Sequence, residues 1–314
     1  MTAFLTTLLK VAIMLILITV GWVLSKINMI TDKGSKEITS LLVYIVSPCL
    51  TVSSFMSADT EAVTAKSLLL AFVGAVIAMG LAIVLSFFFY GKSPDEEKRV
   101  IRFAIVFSNC GFIGIPLAQS IIGSHAVVYC TMFIAVYNVL VWTYGYIMMS
   151  PGNLSFLSTV KLGIINPGTV GLVAGLLVFC LKINLPDVIA SPIDYFGALN
   201  TPLAMIVVGN NISKVKFKEI FTDKKIYVIS FVRLILAPLI ALPFLLMLHL
   251  DHDVFLTVVL QASAPVGANV VIFAVMFGRD SKLGSKLVAA STILSLITIP
   301  ILTTVSESLL TAFA

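Results

Sequence analysis

Apolar runs of about 20 residues recur along the whole of this 314-residue chain, separated by short polar joints. A helix needs that length to cross the ~30 Å hydrocarbon core of a bilayer. Ten runs qualify: 4–24, 38–56, 67–90, 100–122, 125–149, 163–181, 194–210, 226–248, 254–277 and 286–306. The seventh is diluted by Asp194, Asn200 and Pro202. Composition decides between a membrane and a large soluble core, since only 11% of residues are charged against ~25% in a soluble domain. The sequence predicts an all-α, multi-pass membrane protein with ten transmembrane helices and no separate soluble domain. The first run is followed by Leu24-Ser25-Lys26 rather than a small-residue cleavage site, so it reads as a span and not a signal peptide.

Net charge is +5, and its placement excludes nucleic acid as the partner. The joints after odd-numbered spans hold Lys26, Lys33, Lys36, Lys92, Lys98, Arg99, Arg102, Lys161, Lys214, Lys216, Lys218, Lys224, Lys225, Arg279, Lys282 and Lys286; the other side holds Lys10, Lys66 and Lys182. These are topogenic charges. The positive-inside rule places the odd-to-even joints in the cytoplasm and both termini outside, with the lipid bilayer of a cell membrane, such as a bacterial inner membrane, as the surroundings.

Ten spans divide into five and five, 1–150 and 151–314, and an odd number per half inverts the second half. Proline placement supports the repeat: Ser47-Pro48 in span 2 answers Thr201-Pro202 in span 7, and Pro116 in span 4 answers Pro265 in span 9. Proline lacks an N–H and clashes with the preceding turn. Ser108-Asn-Cys-Gly-Phe-Ile-Gly-Ile-Pro116 and Gln261-Ala-Ser-Ala-Pro-Val-Gly-Ala-Asn269 therefore predict breaks, with each proline in the first turn of a second half-helix. Backbone freed at membrane depth is tolerated only against protein or a watery cavity. Paired interrupted spans point to the binding site of a secondary carrier. If the two broken helices cross, half-helix N-termini present free N–H groups and partial positive charge there.

At these residues the chain resembles the auxin efflux carrier family, which includes plant auxin carriers and prokaryotic malate or malonate permeases. Val46-Ser-Pro-Cys-Leu-Thr51, Asn109 with Gly-Ile-Pro116-Leu, Asn166-Pro167 and the stretch from Gln261 to Phe273 carry the resemblance. It implies a 5+5 inverted repeat with crossover of broken helices 4 and 9. Helices 1, 2, 6 and 7 would form a scaffold, often homodimeric, and helices 3–5 and 8–10 a moving transport domain. The substrate would be a small organic anion, a carboxylate. The short joint from Ser150 to Leu162 fits a prokaryotic member and puts auxin itself in doubt.

Asn109 sits beside the span 4 break, where its amide can bind a carboxylate or cap freed backbone. Asn138, in span 5, matches a family asparagine, with interhelical hydrogen bonding as the plainer role. Gln261 stands one turn before the span 9 break, and Asn269 four residues after Pro265, one turn into the second half-helix. Gly111, Gly114 and Gly267 are read as permitting close backbone approach. Arg233 is the one charge well inside a span. An intramembrane charge is a functional candidate, but Lys225 lies only about two turns back, so snorkelling to the cytoplasmic interface is expected. Gly171 and Gly175 offer a helix-packing face, and Trp22, Trp142 and Tyr90 interfacial anchors.

Cys49, Cys110, Cys130 and Cys180 are scattered singly, so no metal site or cofactor is expected. His125, His249 and His252 fall at the outer ends of spans, and no catalytic motif such as HExxH is present. An enzyme is not expected. A channel or a cation–proton antiporter on a similar fold is the alternative. An antiporter needs midplane carboxylates, whereas the acids here fall in joints or near span ends. The crossing is read as free of Lys and Arg.

Overall fold

The structure is a computed structural model describing residues 2–58, 63–150, 167–215 and 223–313. Asn166, Lys161, Lys216 and Lys218 lie outside the described residues. Within them, the chain is helical throughout: α1 (Thr2–Lys26), α2 (Asp32–Leu41), α3 (Ser47–Met56), α4 (Ala65–Ser86), α5 (Asp95–Val106), α6 (Ile115–Ile121), α7 (Ala126–Leu140), α8 (Tyr146–Met149), α9 (Pro167–Cys180), α10 (Asp187–Ala198), α11 (Asn200–Ser213), α12 (Lys224–Phe231), α13 (Ala237–Met247), α14 (His252–Ser263), α15 (Asn269–Met276) and α16 (Ser281–Phe313). Six continuous helical stretches are long and apolar enough to cross a membrane: Thr7–Lys26, Asp32–Met56, Ala65–Ser86, Ala126–Met149, Lys224–Met247 and Ser281–Phe313. The remaining four expected spans are the shorter α9 and three interrupted pairs, α5 with α6, α10 with α11, and α14 with α15.

Wide i to i+5 turns at Leu42–Val46, Cys110–Gly114 and Val232–Leu236 each run straight into a helix with proline at its second position, Pro48, Pro116 or Pro238. Proline cannot donate to the preceding turn and crowds its carbonyl. A single wider turn relieves both problems without ending the helix. Ser47-Pro48 therefore does not interrupt span 2, which is continuous from Asp32 to Met56. In span 7 the joint is Leu199, between α10 and α11, so Pro202 lies within the first turn of the second helix rather than at a mid-helix break.

Side-chain size sorts the faces. α4 buries Ala71, Gly74, Ala75, Ala78 and Ala82 and exposes Leu69, Phe72, Val76 and Val84. With lipid tails as apolar as leucine, helices associate through close backbone packing, and small residues mark the contact. A Cβ on Gly171 would lie 2.7 Å from Pro48 Cα, and one on Gly175 2.5 Å from Phe55 Cδ2. That glycine face is thus occupied by α3 of the same chain. Trp142 packs on Phe273 and Tyr146, with ring centroids 5.4 and 6.2 Å away, inside an aromatic cluster rather than as a lone interfacial anchor.

Candidate functional site

Two interruptions meet inside the protein. α5 ends at Val106, and Phe107 turns extended at φ −99°, ψ 106°. α14 ends at Ser263, and Ala264, forced out of the helical region by the following proline, is extended at φ −60°, ψ 147°. The two extended segments pair antiparallel at Ser108 and Val266. Asn109 N donates to Pro265 O at 2.7 Å, and Gly267 N to Phe107 O at 2.9 Å.

The breaks do not fall where the prolines alone predicted. The chain is helical from Cys110 through Ile121, so Pro116 lies inside the second half-helix and not in its first turn. The interruption sits seven residues earlier, at 107–109, and the wide turn before Pro116 absorbs the proline. Pro265 lies in the extended link itself, and Asn269 is the first residue of α15 rather than one turn in.

Backbone groups freed at the breaks find partners, as buried polar groups must. Val266 N donates to Ser291 Oγ at 3.0 Å. Arg233 takes the carbonyls: its Nε donates to Ala264 O at 3.2 Å, Nη1 to Ile105 O at 3.1 Å and Nη2 to Ala262 O at 2.7 Å. Arg233 is 3% exposed. It does not snorkel, and the junction of the two breaks is not free of cations. The interface is within reach along the helix, but the carbonyls at two helix ends lie closer and accept its donors.

Asn109 is the N-cap of the second half-helix, its Oδ1 accepting from Phe112 N at 3.3 Å. It is 7% exposed. Among the described residues its Nδ2 has no acceptor, and the N–H groups of Cys110 and Gly111, at the helix start, have no backbone partner. A Cβ on Gly111 would meet nothing within 4 Å beyond its own neighbouring backbone, so open space adjoins Gly111. Gly111 is thus not a close-approach glycine. Gly267 is, since its Cβ would lie 2.9 Å from Ser108 O. Gly114 faces the Gln261 carboxamide, where a Cβ would collide with Oε1. Gln261 is fully buried, and neither end of its amide has a hydrogen-bond partner. Asn269 Nδ2 donates to Tyr137 Oη at 3.0 Å, and the Tyr137 ring stands edge-on to Phe107 at 5.5 Å. Asn138 is half-buried on α7, one residue beyond Tyr137.

Tyr137 and Ser291 were not singled out from the sequence. A tyrosine in an apolar run carries no signal until its hydroxyl has a partner. Ser291, in Ala289-Ala-Ser-Thr292, looks like any small packing residue.

Helices that break inside the protein and pair through their backbones, with polar donors gathered at the junction, define a multi-pass membrane protein with an internal polar site. Over residues 6–303 the sequence matches the membrane transport protein family, the auxin efflux carrier family, and the chain belongs to it. It is 23% identical over 290 residues to an "Uncharacterized transporter" of Methanothermobacter thermautotrophicus, covering 91% of this chain and 94% of that protein. It is 24% identical over 270 residues to a "Putative malonate transporter" of Rhizobium meliloti, covering 83% and 84% respectively. The protein is a membrane transporter.

Proposed function

We propose that this transporter is a secondary carrier of small organic anions, with a carboxylate such as malonate as substrate, working by alternating access. The observation that carries the reading is the donor set at the start of the second half-helix: Asn109 Nδ2, without an acceptor among the described residues, and the N–H groups of Cys110 and Gly111, which have no backbone acceptor and face only the Cys110 thiol, a weak acceptor. A helix N-terminus with free N–H groups suits a carboxylate. The relative named for malonate supports the same class. Among the described residues the one buried charge is cationic, Arg233, which disfavours a cation–proton antiporter.

On this reading the ten spans form a 5+5 inverted repeat, with spans 4 and 9 crossing at the paired breaks. The polar ties support a scaffold of spans 1, 2, 6 and 7 and a mobile set of spans 3–5 and 8–10. Within the first, Ser25 Oγ lies 2.6 Å from Ser213 Oγ, Lys26 Nζ donates to Ser213 O at 2.9 Å, Lys214 pairs with Asp32 at 2.7 Å, and Ser53 Oγ donates to Asp194 at 2.6 Å. Within the second, Arg99 Nη1 donates to Met148 O at 2.6 Å, Arg279 Nε to Met149 O at 3.1 Å, and Lys225 pairs with Glu97 at 2.6 Å. Along their boundary Val11, Met14, Ile18 and Met205 face Ile113, Leu117 and Ile299 across a narrow cavity. Thr292 and Ser295 also line it, but their hydroxyls turn back onto the carbonyls of Val288 and Thr292. An apolar boundary between two internally tied bodies can slide without breaking hydrogen bonds.

The test is malonate affinity and uptake by the purified protein in liposomes. Asn109→Ala removes one buried donor, a loss of about 1–3 kcal/mol, or roughly 5- to 150-fold in affinity. Asn109→Asp sets a carboxylate against the ligand and should be worse. Wild-type affinity in Asn109→Asp, or a preference for cations, refutes the reading.

A further inference from the structure

Arg233 is a cation buried without an acid to pair with among the described buried side chains. Its three named bonds all go to backbone carbonyls, and those carbonyls belong to two different helices. Ile105 O lies in the last turn of α5, Ala262 O in the last turn of α14 and Ala264 O just beyond it. A helix C-terminus carries roughly half a negative charge, and its N-terminus the opposite. Two negative ends therefore converge on one guanidinium, a group that stays charged in proteins. The N-termini of the second halves, at Cys110 and Asn269, are left without such an opposing charge.

The substrate does not reach Arg233. The cavity beside it, lined by Ala78, Met79, Ala82, Ser108 and Phe133, is far smaller than a dicarboxylate. The proposed anion donors belong to the start of the second half-helix, which follows Phe107 and Ser108 in the chain.

We infer that Arg233 is a positioning and specificity residue: a fixed backing charge that cancels the two helix C-termini, so that the crossing favours doubly charged over singly charged carboxylates. The inference rests on the anion-carrier reading above. Arg233 holds Ile105 O at 3.1 Å, and Ile105 is four residues before Asn109, so the intervening chain spans at most about 14 Å and the charge lies on the order of 10 Å from the donor set. At that distance and an effective dielectric of about 20, each ligand charge gains roughly tenfold in affinity. A dianion therefore gains roughly tenfold more than a monoanion of the same shape.

The experiment compares malonate with its half-amide, malonamate, on the purified full-length protein, by calorimetry, with the melting midpoint recorded for each variant. Arg233→Lys keeps the charge and should keep the dianion-to-monoanion ratio within about threefold, while losing carbonyl bonds and melting earlier. Arg233→Met removes the charge and should lower the ratio roughly tenfold. If Arg233→Met does not fold, Ala78→Asp decides, because it places a carboxylate beside Arg233, neutralises it and leaves the three carbonyl bonds in place. A folded Arg233→Met or Ala78→Asp protein with the wild-type ratio overturns the inference, since a purely structural arginine would change melting and not the ratio. A wild type that binds neither acid refutes the anion-carrier reading instead, and this inference with it.

Discussion

Gly267 is the point at which the two paired segments have no slack. A Cβ built there lies 2.9 Å from Ser108 O and 3.1 Å from Phe107 O. Both are backbone atoms, so no side chain can swing aside, and the two segments must part by a few tenths of an ångström. The bonds at stake are Gly267 N to Phe107 O at 2.9 Å and Asn109 N to Pro265 O at 2.7 Å. Overpacking a tight site costs about 1–3 kcal/mol, and weakening the two bonds adds up to ~1 kcal/mol each. Alanine also stiffens the unfolded chain, which returns about 0.4–1 kcal/mol. The net expectation for Gly267→Ala is a loss of a few kcal/mol, at most about 4–5. It should appear as a lower melting midpoint of the detergent-purified protein, together with slower malonate uptake in liposomes. A variant that melts and transports like wild type would show that the paired segments are not under the constraint their geometry implies.

Gly111→Ala is the counterpart: a Cβ there meets nothing within 4 Å, so the melting midpoint should hold while a methyl group intrudes on the proposed ligand space and weakens malonate binding. Wild-type affinity would move the site elsewhere. Cysteines at Ser57 and Ser124, both exposed, should react with an impermeant reagent on intact cells, and one at Ser93 should not; Ser213, 6% exposed and hydrogen-bonded to Ser25, is too buried to report on sidedness. Labelling at Ser93 would overturn the orientation. At the start of α14, partial burial acts to raise the Asp253 pKa, but hydrogen bonds from His252 and His125 outweigh it and hold the carboxyl below its ordinary value. Its stabilising contribution is therefore full above about pH 4 and lost as pH falls through the depressed value. Asp253→Asn should flatten the acid limb of the melting profile, and an unchanged limb would refute the linkage.

The membrane class was legible in the sequence because bilayer thickness sets run length directly, and six of the apolar runs are matched by continuous helical stretches long enough to cross. The two sites of interruption were legible only approximately. The prolines at 116 and 265 predict the breaks, but a proline can be absorbed by one wider turn, as Pro116 is. The break at 107–109 is fixed instead by pairing with 265–267, a contact between residues some 150 positions apart that no local pattern encodes. At Pro265 the local rule and the distant contact coincide, and there the expectation came close. The reading of Arg233 failed for a related reason. Counting turns from Lys225 measures its reach along one helix, but not which carbonyls on neighbouring helices lack a donor. Once Ile105, Ala262 and Ala264 are placed, the arginine is the group that satisfies them.

A buried arginine at the crossing and a ligand site of neutral donors are compatible, and the division between them follows from the energetics. A carrier must release its substrate in each cycle. A direct, desolvated ion pair is costly to break, because parting leaves each ion unpaired in a low-dielectric site. Arg233 avoids this by being committed to the protein: its bonds to Ile105, Ala262 and Ala264 need not change when a ligand arrives or leaves. On the proposed reading its charge still acts at the junction, while Asn109 and the N–H groups of Cys110 and Gly111 would meet the ligand. Those donors can exchange a carboxylate for water at lower cost than an ion pair can, since the donors are themselves neutral and no unpaired protein charge is left when the anion departs. On this reading attraction and contact belong to different residues at one junction: Arg233 is held by the C-termini of the first half-helices, the donors sit at the start of a second half-helix, and the backbone pair between Phe107–Asn109 and Pro265–Gly267 joins the two breaks.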